Sequence, residues 1–310
     1  MTANYSAETV ADTGGIQSPE SAPVALCIVG DSRSGTTLLQ GLLALHPEIT
    51  TVGEIGRLEH FIASNRACSC GEPVLRCSHW NEIIGRVAGP GEHLVTFRPK
   101  NRLHQRFEEA AGILSLALGT TSLGRAVLPH GRLIADNVGR LLLSAAASSD
   151  ARAVVDGSKE PGHLVYLMHQ KHIHVRPVFC IRDGRATVHS KMKRGKISAE
   201  IATVHWRNVI RAMLWLRRLI GARQSDLVVY EKMCLAPAAT VNRIVANAGL
   251  PEASLDRSSP VRRHYIGGTP NFSMARIEID QRWRGEMAPS DLAVFDRIAG
   301  KLNRSLGYVE

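Results

Sequence analysis

The chain of 310 residues is 44% apolar, 5% aromatic and 21% charged, which excludes fibrous, collagenous and wholly disordered classes. Its longest apolar runs, such as 141–147, fall far short of the roughly 20 residues that a membrane helix needs. The formal charge of +10 is concentrated: from Lys171 to Lys232 there are 14 Lys or Arg against 4 Asp or Glu. Such an excess points to nucleic acid, an anionic membrane surface or a phosphorylated small molecule. Few aromatics interleave with these cations, which disfavours a stacking platform for single strands, so a phosphate site is expected and no nucleic-acid partner.

Residues 1–22 carry three acids (Glu8, Asp12, Glu20) and no Lys or Arg, and read as a disordered leader. They lack a basic region followed by an apolar core, so no secretory signal is read and a cytoplasmic location is expected. Residues 23–310 are expected to form one domain. The run from Val24 to Gly30 is continuously apolar, the pattern of a strand buried on both faces. After a loop over 31–35, residues 36–45 read as a helix ending before Pro47. Further strands are expected at 153–156, 176–181 and 226–230, with helices near 161–170, 184–194, 200–222 and 236–248. This alternation predicts an α/β three-layer sandwich around a central, mainly parallel sheet. The section 57–150 departs from the alternation, with loop signals at 89–91 and helical stretches near 101–119 and 138–148. It reads as a largely helical insertion near the strand tips, where ligands bind.

Gly30-Asp-Ser-Arg-Ser-Gly-Thr-Thr37 has the spacing of a P-loop, with Thr36 where the lysine should stand. Backbone N–H groups of Gly35, Thr36 and Thr37 and the helix N-terminus still suit a phosphate, with the hydroxyls of Ser34, Thr36 and Thr37 as further donors. The loss of the lysine disfavours a nucleoside triphosphatase, and a P-loop kinase is the rival reading for the same unit.

Two segments then carry a resemblance. Arg33-Ser-Gly-Thr-Thr-Leu-Leu39 is similar to the 5′-phosphosulfate loop of sulfotransferases that use 3′-phosphoadenosine 5′-phosphosulfate. Val178-Phe-Cys-Ile-Arg-Asp-Gly-Arg-Ala-Thr-Val-His-Ser190 is similar to their second element, which holds the 3′-phosphate. The pattern RSGTTL…HP…GE, Lys159-Glu-Pro161 and RDGRA-x-VHS is closest to the tyrosylprotein sulfotransferase type, while 57–150 and Asp156-Gly-Ser-Lys159 look more like bacterial members. The likeness runs from about residue 24 to Leu306-Gly-Tyr308.

The resemblance implies a P-loop NTPase-like fold and in-line transfer of a sulfuryl group to a hydroxyl, with 57–150 forming the acceptor site. It implies Arg182 and Ser190 on the 3′-phosphate, and Arg33 on the sulfuryl or 5′-phosphate oxygens. It further implies Lys159 on the bridging oxygen, and Glu54, 21 residues after Arg33, as the base. Tyr230 falls near the adenosine in similar members, although a core tyrosine fits the same pattern. Trp206 matches a position where core packing and adenine stacking are alternatives. Asp280-Gln-Arg-Trp-Arg284 resembles the segment that closes over the nucleotide, which makes Arg282 and Arg284 candidates for phosphate. Arg185 and Lys191 read equally well as phosphate contacts or as solvated charges. Many small-molecule members use a histidine base, but no histidine here falls in that position. The acceptor is expected to be a small molecule rather than a protein tyrosine, and the oligomeric state is not legible.

Of six cysteines, Cys27 and Cys180 lie in strand runs and read as small buried hydrophobes. Cys68, Cys70 and Cys77 with His79 offer three thiolates and an imidazole that suit Zn²⁺; a disulfide or a reduced turn fits the spacing as well. No metal residue is assigned, and the expected chemistry requires no metal.

Overall fold

The computed structural model describes residues 22–88, 110, 112–114, 129–256, 264–268 and 277–309. Five strands form the core sheet: β1 (Val24–Gly30), β2 (Ile49–Gly53), β3 (Ala153–Lys159), β4 (His174–Ile181) and β5 (Asp226–Val229). All pair in parallel in the order β2-β3-β1-β4-β5. Every connection therefore crosses over the sheet, and the helices cover both faces, as parallel pairing requires.

The pleat sorts the apolar residues. Ala25, Cys27 and Val29 of β1 join Val154, Phe179 and Ile181 in one buried cluster. Leu26 and Ile28 point the other way and join Ala153, Val155, Val178, Cys180 and Val228. On this second face lie α1 (Thr36–Leu43) and, far along the chain, Pro237–Asn247. The first face is covered by α2 (Ser78–Val87), α3 (Pro129–Ser148), α4 (Pro161–Leu167) and the 22-residue α6 (Ala199–Ile220), which follows α5 (Gly184–Gly195). The expected three-layer α/β sandwich is the observed fold.

The departures are local. β2 was not legible, because Ile-Thr-Thr-Val-Gly is short and lies close behind the His46-Pro47 break. Once it is a strand, 54–152 becomes the crossover from β2 to β3. Its helix α3 turns Ile134, Val138, Leu141, Leu142 and Ala145 onto the sheet, where Trp80 and Ile83 of α2 meet them in one core. The described part of 57–150 thus covers a sheet face rather than sitting only at the strand tips. The expected leader, the loop at 89–91 and most of the helix at 101–119 lie outside the described residues. No helix among the described residues is long and apolar enough to cross a membrane.

Candidate active site

The carboxyl ends of the strands gather the predicted residues, where open α/β sheets place their ligands. Register explains the convergence: Val29 pairs with Lys159, and Gly30 with Cys180. The ends of β3 and β4 therefore flank the loop that follows β1. Arg33 comes three residues after β1, Glu54 directly after β2, Lys159 closes β3, Arg182 follows β4 and Tyr230 follows β5.

The loop 31–35 turns sharply from β1 into α1. Gly35 caps α1 with φ +91°, and neither a side-chain cap nor an acid in the first turn occupies the helix N-terminus. A Cβ on Gly35 would stand 2.3 Å from Cδ2 of Tyr230, so the close approach of loop and aromatic ring requires glycine. Arg33 takes the left-handed conformation at φ +74°. Ser34, by contrast, is turned inward, its Oγ donating to the Asp31 carbonyl at 2.7 Å. Its hydroxyl is committed to the loop, unlike the expected donor. Thr36 is buried, and Thr37 lines the cleft.

Three hydrogen bonds knit the two phosphate-type elements together. Arg33 Nε donates to Ser190 Oγ at 3.0 Å, one Arg182 nitrogen donates to the Arg33 carbonyl at 3.0 Å, and the Cys180 thiol donates to the Ser34 carbonyl at 3.3 Å. Arg182 also reaches the Asp280 carbonyl at 2.8 Å and lies 4.4 Å over the Tyr230 ring. Its Nε is buried with no partner, a donor in want of an acceptor. Burial first, then the neighbouring Arg194 and Arg182 charges, lower the pKa of Arg33.

The remaining candidates divide. Arg282 lines the cleft but is already paired with Asp280 through two contacts, at 2.8 and 2.9 Å. Those hydrogen bonds hold the Asp280 carboxyl far below the carboxylate range, against its partial burial. Arg284 stacks 4.8 Å from the Trp283 ring and is not part of the cleft lining. Arg185 is neither solvated nor in the cleft: it caps Asp183 with a forked contact and covers Trp283 at 4.3 Å. Lys191 is not a solvated charge either, since its side chain is 7% exposed and its Nζ donates to Asp31 behind the loop. Trp206 is wholly buried against Phe295, 5.6 Å between ring centres, so core packing is its role.

The cleft has a volume of about 770 Å³, and its wall carries Arg33, Arg57, Lys159, Arg182, Lys191, Arg194 and Arg282 against two acids, Glu278 and Asp280. A second cleft of about 650 Å³ adjoins it and shares Ser32, Arg57, Lys159 and His205. Glu54 lines only the second cleft; Lys159 lines both.

The two are a pair, Lys159 Nζ donating to Glu54 Oε1 at 2.6 Å. Glu54 Oε1 also accepts from the Gly268 amide at 3.0 Å, and Oε2 from Arg57 at 3.2 Å. Burial alone would raise the carboxyl; the Lys159 charge and hydrogen bond, the amide and Arg57 outweigh it, so the pKa lies below its ordinary value.

The supports of this pair escaped the sequence reading. Buried Asp156 accepts from both the amide and the hydroxyl of Ser158, and from His163 Nε2 at 2.7 Å. Ser158 Oγ in turn accepts from the Gly56 amide at 2.9 Å. This network fixes the residues beside Lys159, which sits at φ +72°, and beside Glu54. The signal was there in Asp156-Gly-Ser-Lys159, but His163 and Gly56 join it only through the fold.

Comparison with known proteins bears on the fold and the family. The solved sulfotransferase domain of the Synechococcus PCC 7002 olefin synthase is 20% identical, with TM-score 0.53, over 93% of this chain and 96% of that one. The sulfotransferase domain from the curacin biosynthetic pathway is 17% identical, with TM-score 0.51, over 90% and 97%. At these identities the likeness shows the fold alone. No curated protein matches significantly. The profile described as "Sulfotransferase family" matches residues 25–254, a span that holds both phosphate-type elements, Glu54 and Lys159. A P-loop without its lysine, joined to a second arginine-bearing element at the edge of a cationic cleft, is what the chain has as a member of the sulfotransferase family.

Proposed function

We propose that the protein transfers the sulfuryl group of 3′-phosphoadenosine 5′-phosphosulfate to the hydroxyl of a small-molecule acceptor, releasing 3′-phosphoadenosine 5′-phosphate. The observation that carries this reading is the junction of the two clefts, with Lys159 on the shared wall and Glu54 on one side of it. Seven cations against two acids suit a donor bearing several phosphate and sulfate oxygens.

The nucleotide fits the residues present. The 3′-phosphate goes to Arg182, whose Nε lacks a partner, and to Ser190. The 5′ end goes to Arg33, Gly35 and the amides and hydroxyls of Thr36 and Thr37 at the open helix terminus. Tyr230, with Arg182 on its ring, faces the adenosine; Arg282 turns from Asp280 to phosphate. Arg284 and Ser34 act indirectly, through Trp283 and through the loop's own geometry.

The bound nucleotide supplies an activated sulfur whose bond to the 5′-phosphate oxygen breaks as the acceptor oxygen attacks. Glu54, ionised at neutral pH, takes the acceptor proton. Lys159 neutralises the charge that develops on the leaving oxygen. A Lys159 ammonium turned towards that oxygen leaves Glu54 with one cation fewer, which raises its basicity at the moment a base is needed. A transferred sulfuryl carries less charge than a phosphoryl group, so no metal is needed for the step. With Thr36 in place of the P-loop lysine, nothing in the site favours the kinase reading.

The test is product release: the protein is incubated with 3′-phosphoadenosine 5′-phosphosulfate and a panel of sugars, phenols and aliphatic alcohols, and 3′-phosphoadenosine 5′-phosphate is quantified. Acceptor-dependent release, lost in Glu54→Gln, supports the reading. Release from ATP of ADP in its place would overturn it.

A further inference from the structure

Away from the cleft, the structure brings together the cysteine group and a histidine nearly 200 positions further on. The sulfurs of Cys68, Cys70 and Cys77 and a ring nitrogen of His264 all lie within 4.8 Å of one another. Cys77 Sγ is 3.1 Å and Cys68 Sγ 3.9 Å from His264 Nδ1. All three cysteines are free thiols. With Zn–S of about 2.3 Å and Zn–N of about 2.0 Å, a zinc tetrahedron has ligand-to-ligand edges of roughly 3.5–3.8 Å, the size of this cage.

We propose that Cys68, Cys70, Cys77 and His264 bind one structural Zn²⁺. The donor set is decisive. Three thiolates and an imidazole suit zinc, and among the described residues the group includes no carboxylate to favour a harder ion and no fifth donor. Binding releases three protons from the three thiols, leaving a Cys₃His centre of net charge −1.

The surrounding chain is built to present these donors. The Cys68 amide donates to the Glu72 carbonyl at 2.8 Å and the Gly71 amide to the Cys68 carbonyl at 2.9 Å. Gly71, at φ +95°, lets the turn close tightly behind Cys70. Cys77 stands at the N-cap of α2. His79, the imidazole expected from the sequence, is not the fourth donor: it stacks on His264, 4.9 Å between centroids and 29° between planes, and so supports the ring that is. Two hydrogen bonds cross the same junction, the Ser69 amide donating to the Tyr265 carbonyl at 2.9 Å and the Tyr265 amide to the Ser69 side-chain Oγ at 3.0 Å.

The metal acts as a clasp on residues 264–268. Ile266, two residues past the ligand, pairs with Gly53, accepts from the Glu54 amide at 2.8 Å and donates to Val52 at 3.1 Å. Gly268 donates to the Glu54 carboxylate. Zinc thus fixes a segment that braces the end of β2, a consequence for catalysis that rests on Glu54 being the base.

Metal analysis of the full chain, purified without chelators and in zinc-containing buffer, tests this directly. Wild type should carry about one zinc per chain, as a closed four-ligand site requires. Cys77→Ser and His264→Ala should lose most of it, while His79→Ala keeps it. If those variants fail to fold, wild type alone decides: modification of its thiols with a mercurial should release the zinc, and Co²⁺ in its place should give the spectrum of a tetrahedral thiolate site. Zinc-free wild type, a disulfide between two of the three cysteines, or zinc retained by His264→Ala would overturn the proposal. Nucleotide binding is read separately, so failure of the metal site and failure of the sulfotransferase reading are told apart.

Discussion

In the proposed reaction Glu54 and Lys159 form the chemical centre, and each makes a distinct prediction. Glu54→Gln keeps the shape and an acceptor for Lys159 and the Gly268 amide, but replaces the oxygen facing Arg57 with an NH₂ donor and removes the proton acceptor, so turnover should fall by about 10²–10⁴-fold while nucleotide affinity stays close to wild type. Equal loss of binding would show that Glu54 is a structural carboxylate. The pH dependence follows from the sign of the shift. The Glu54 carboxyl has a folded pKa below its ordinary 4.5, so its ionised form persists above that range and is lost only as pH falls through the lower folded value. In Lys159→Met the largest opposing charge is gone while burial remains. The acid limb of kcat/KM should therefore move to higher pH, with kcat reduced. An unmoved limb would mean that Lys159 does not govern the base.

At the scale of elements, the loop 31–35 and α1 depend on one backbone position. Gly35→Ala demands a left-handed alanine and pushes Cβ into the Tyr230 ring, so nucleotide affinity should drop by about tenfold or more, roughly 1.4 kcal/mol, in titration of the variant. Trp206→Ala is the contrasting case. It hollows the core between α5, α6 and Phe295 and should cost about 3–5 kcal/mol of stability in denaturant melts, without selectively weakening nucleotide binding. A selective loss of affinity would instead put Trp206 against the base. These elements also show what a sequence yields. Continuous apolar runs gave β1, β3, β4 and β5, because strands buried on both faces advertise themselves. β2 did not, since five residues closing on Thr-Val-Gly carry no period. The phosphate-type residues were readable because they lie within one loop of a strand end. Gly56 was not, because its bond to Ser158 spans the crossover from β2 to β3, and the pairing of His163 with Asp156 appears only once the chain turns from β3 into α4. The same reason hid His264 behind the nearer His79.

At the scale of the molecule, the parallel order places β1 centrally and turns five strand ends towards one edge. The cleft's wall of arginines and lysines is thereby assembled from several strand ends: Arg182, Lys191 and Arg194 come from the basic stretch 171–232, and Arg33, Arg57, Lys159 and Arg282 from elsewhere in the chain. Under the proposed reaction the acceptor binds in the adjoining second cleft, whose lining includes Pro161, Asn208, Ala212 and Glu54. The central claim is that this wall reads a nucleotide with phosphates at both ends of the ribose. Its most direct test is calorimetric titration with 3′-phosphoadenosine 5′-phosphate, with ATP and adenosine 5′-phosphate as comparisons, all without Mg²⁺. The account predicts binding that requires the 3′-phosphate and weakens by about 10–150-fold in Arg182→Ala, the loss of one charge-assisted contact of roughly 1.5–3 kcal/mol. Equal or tighter binding of ATP, indifferent to Arg182, would contradict it.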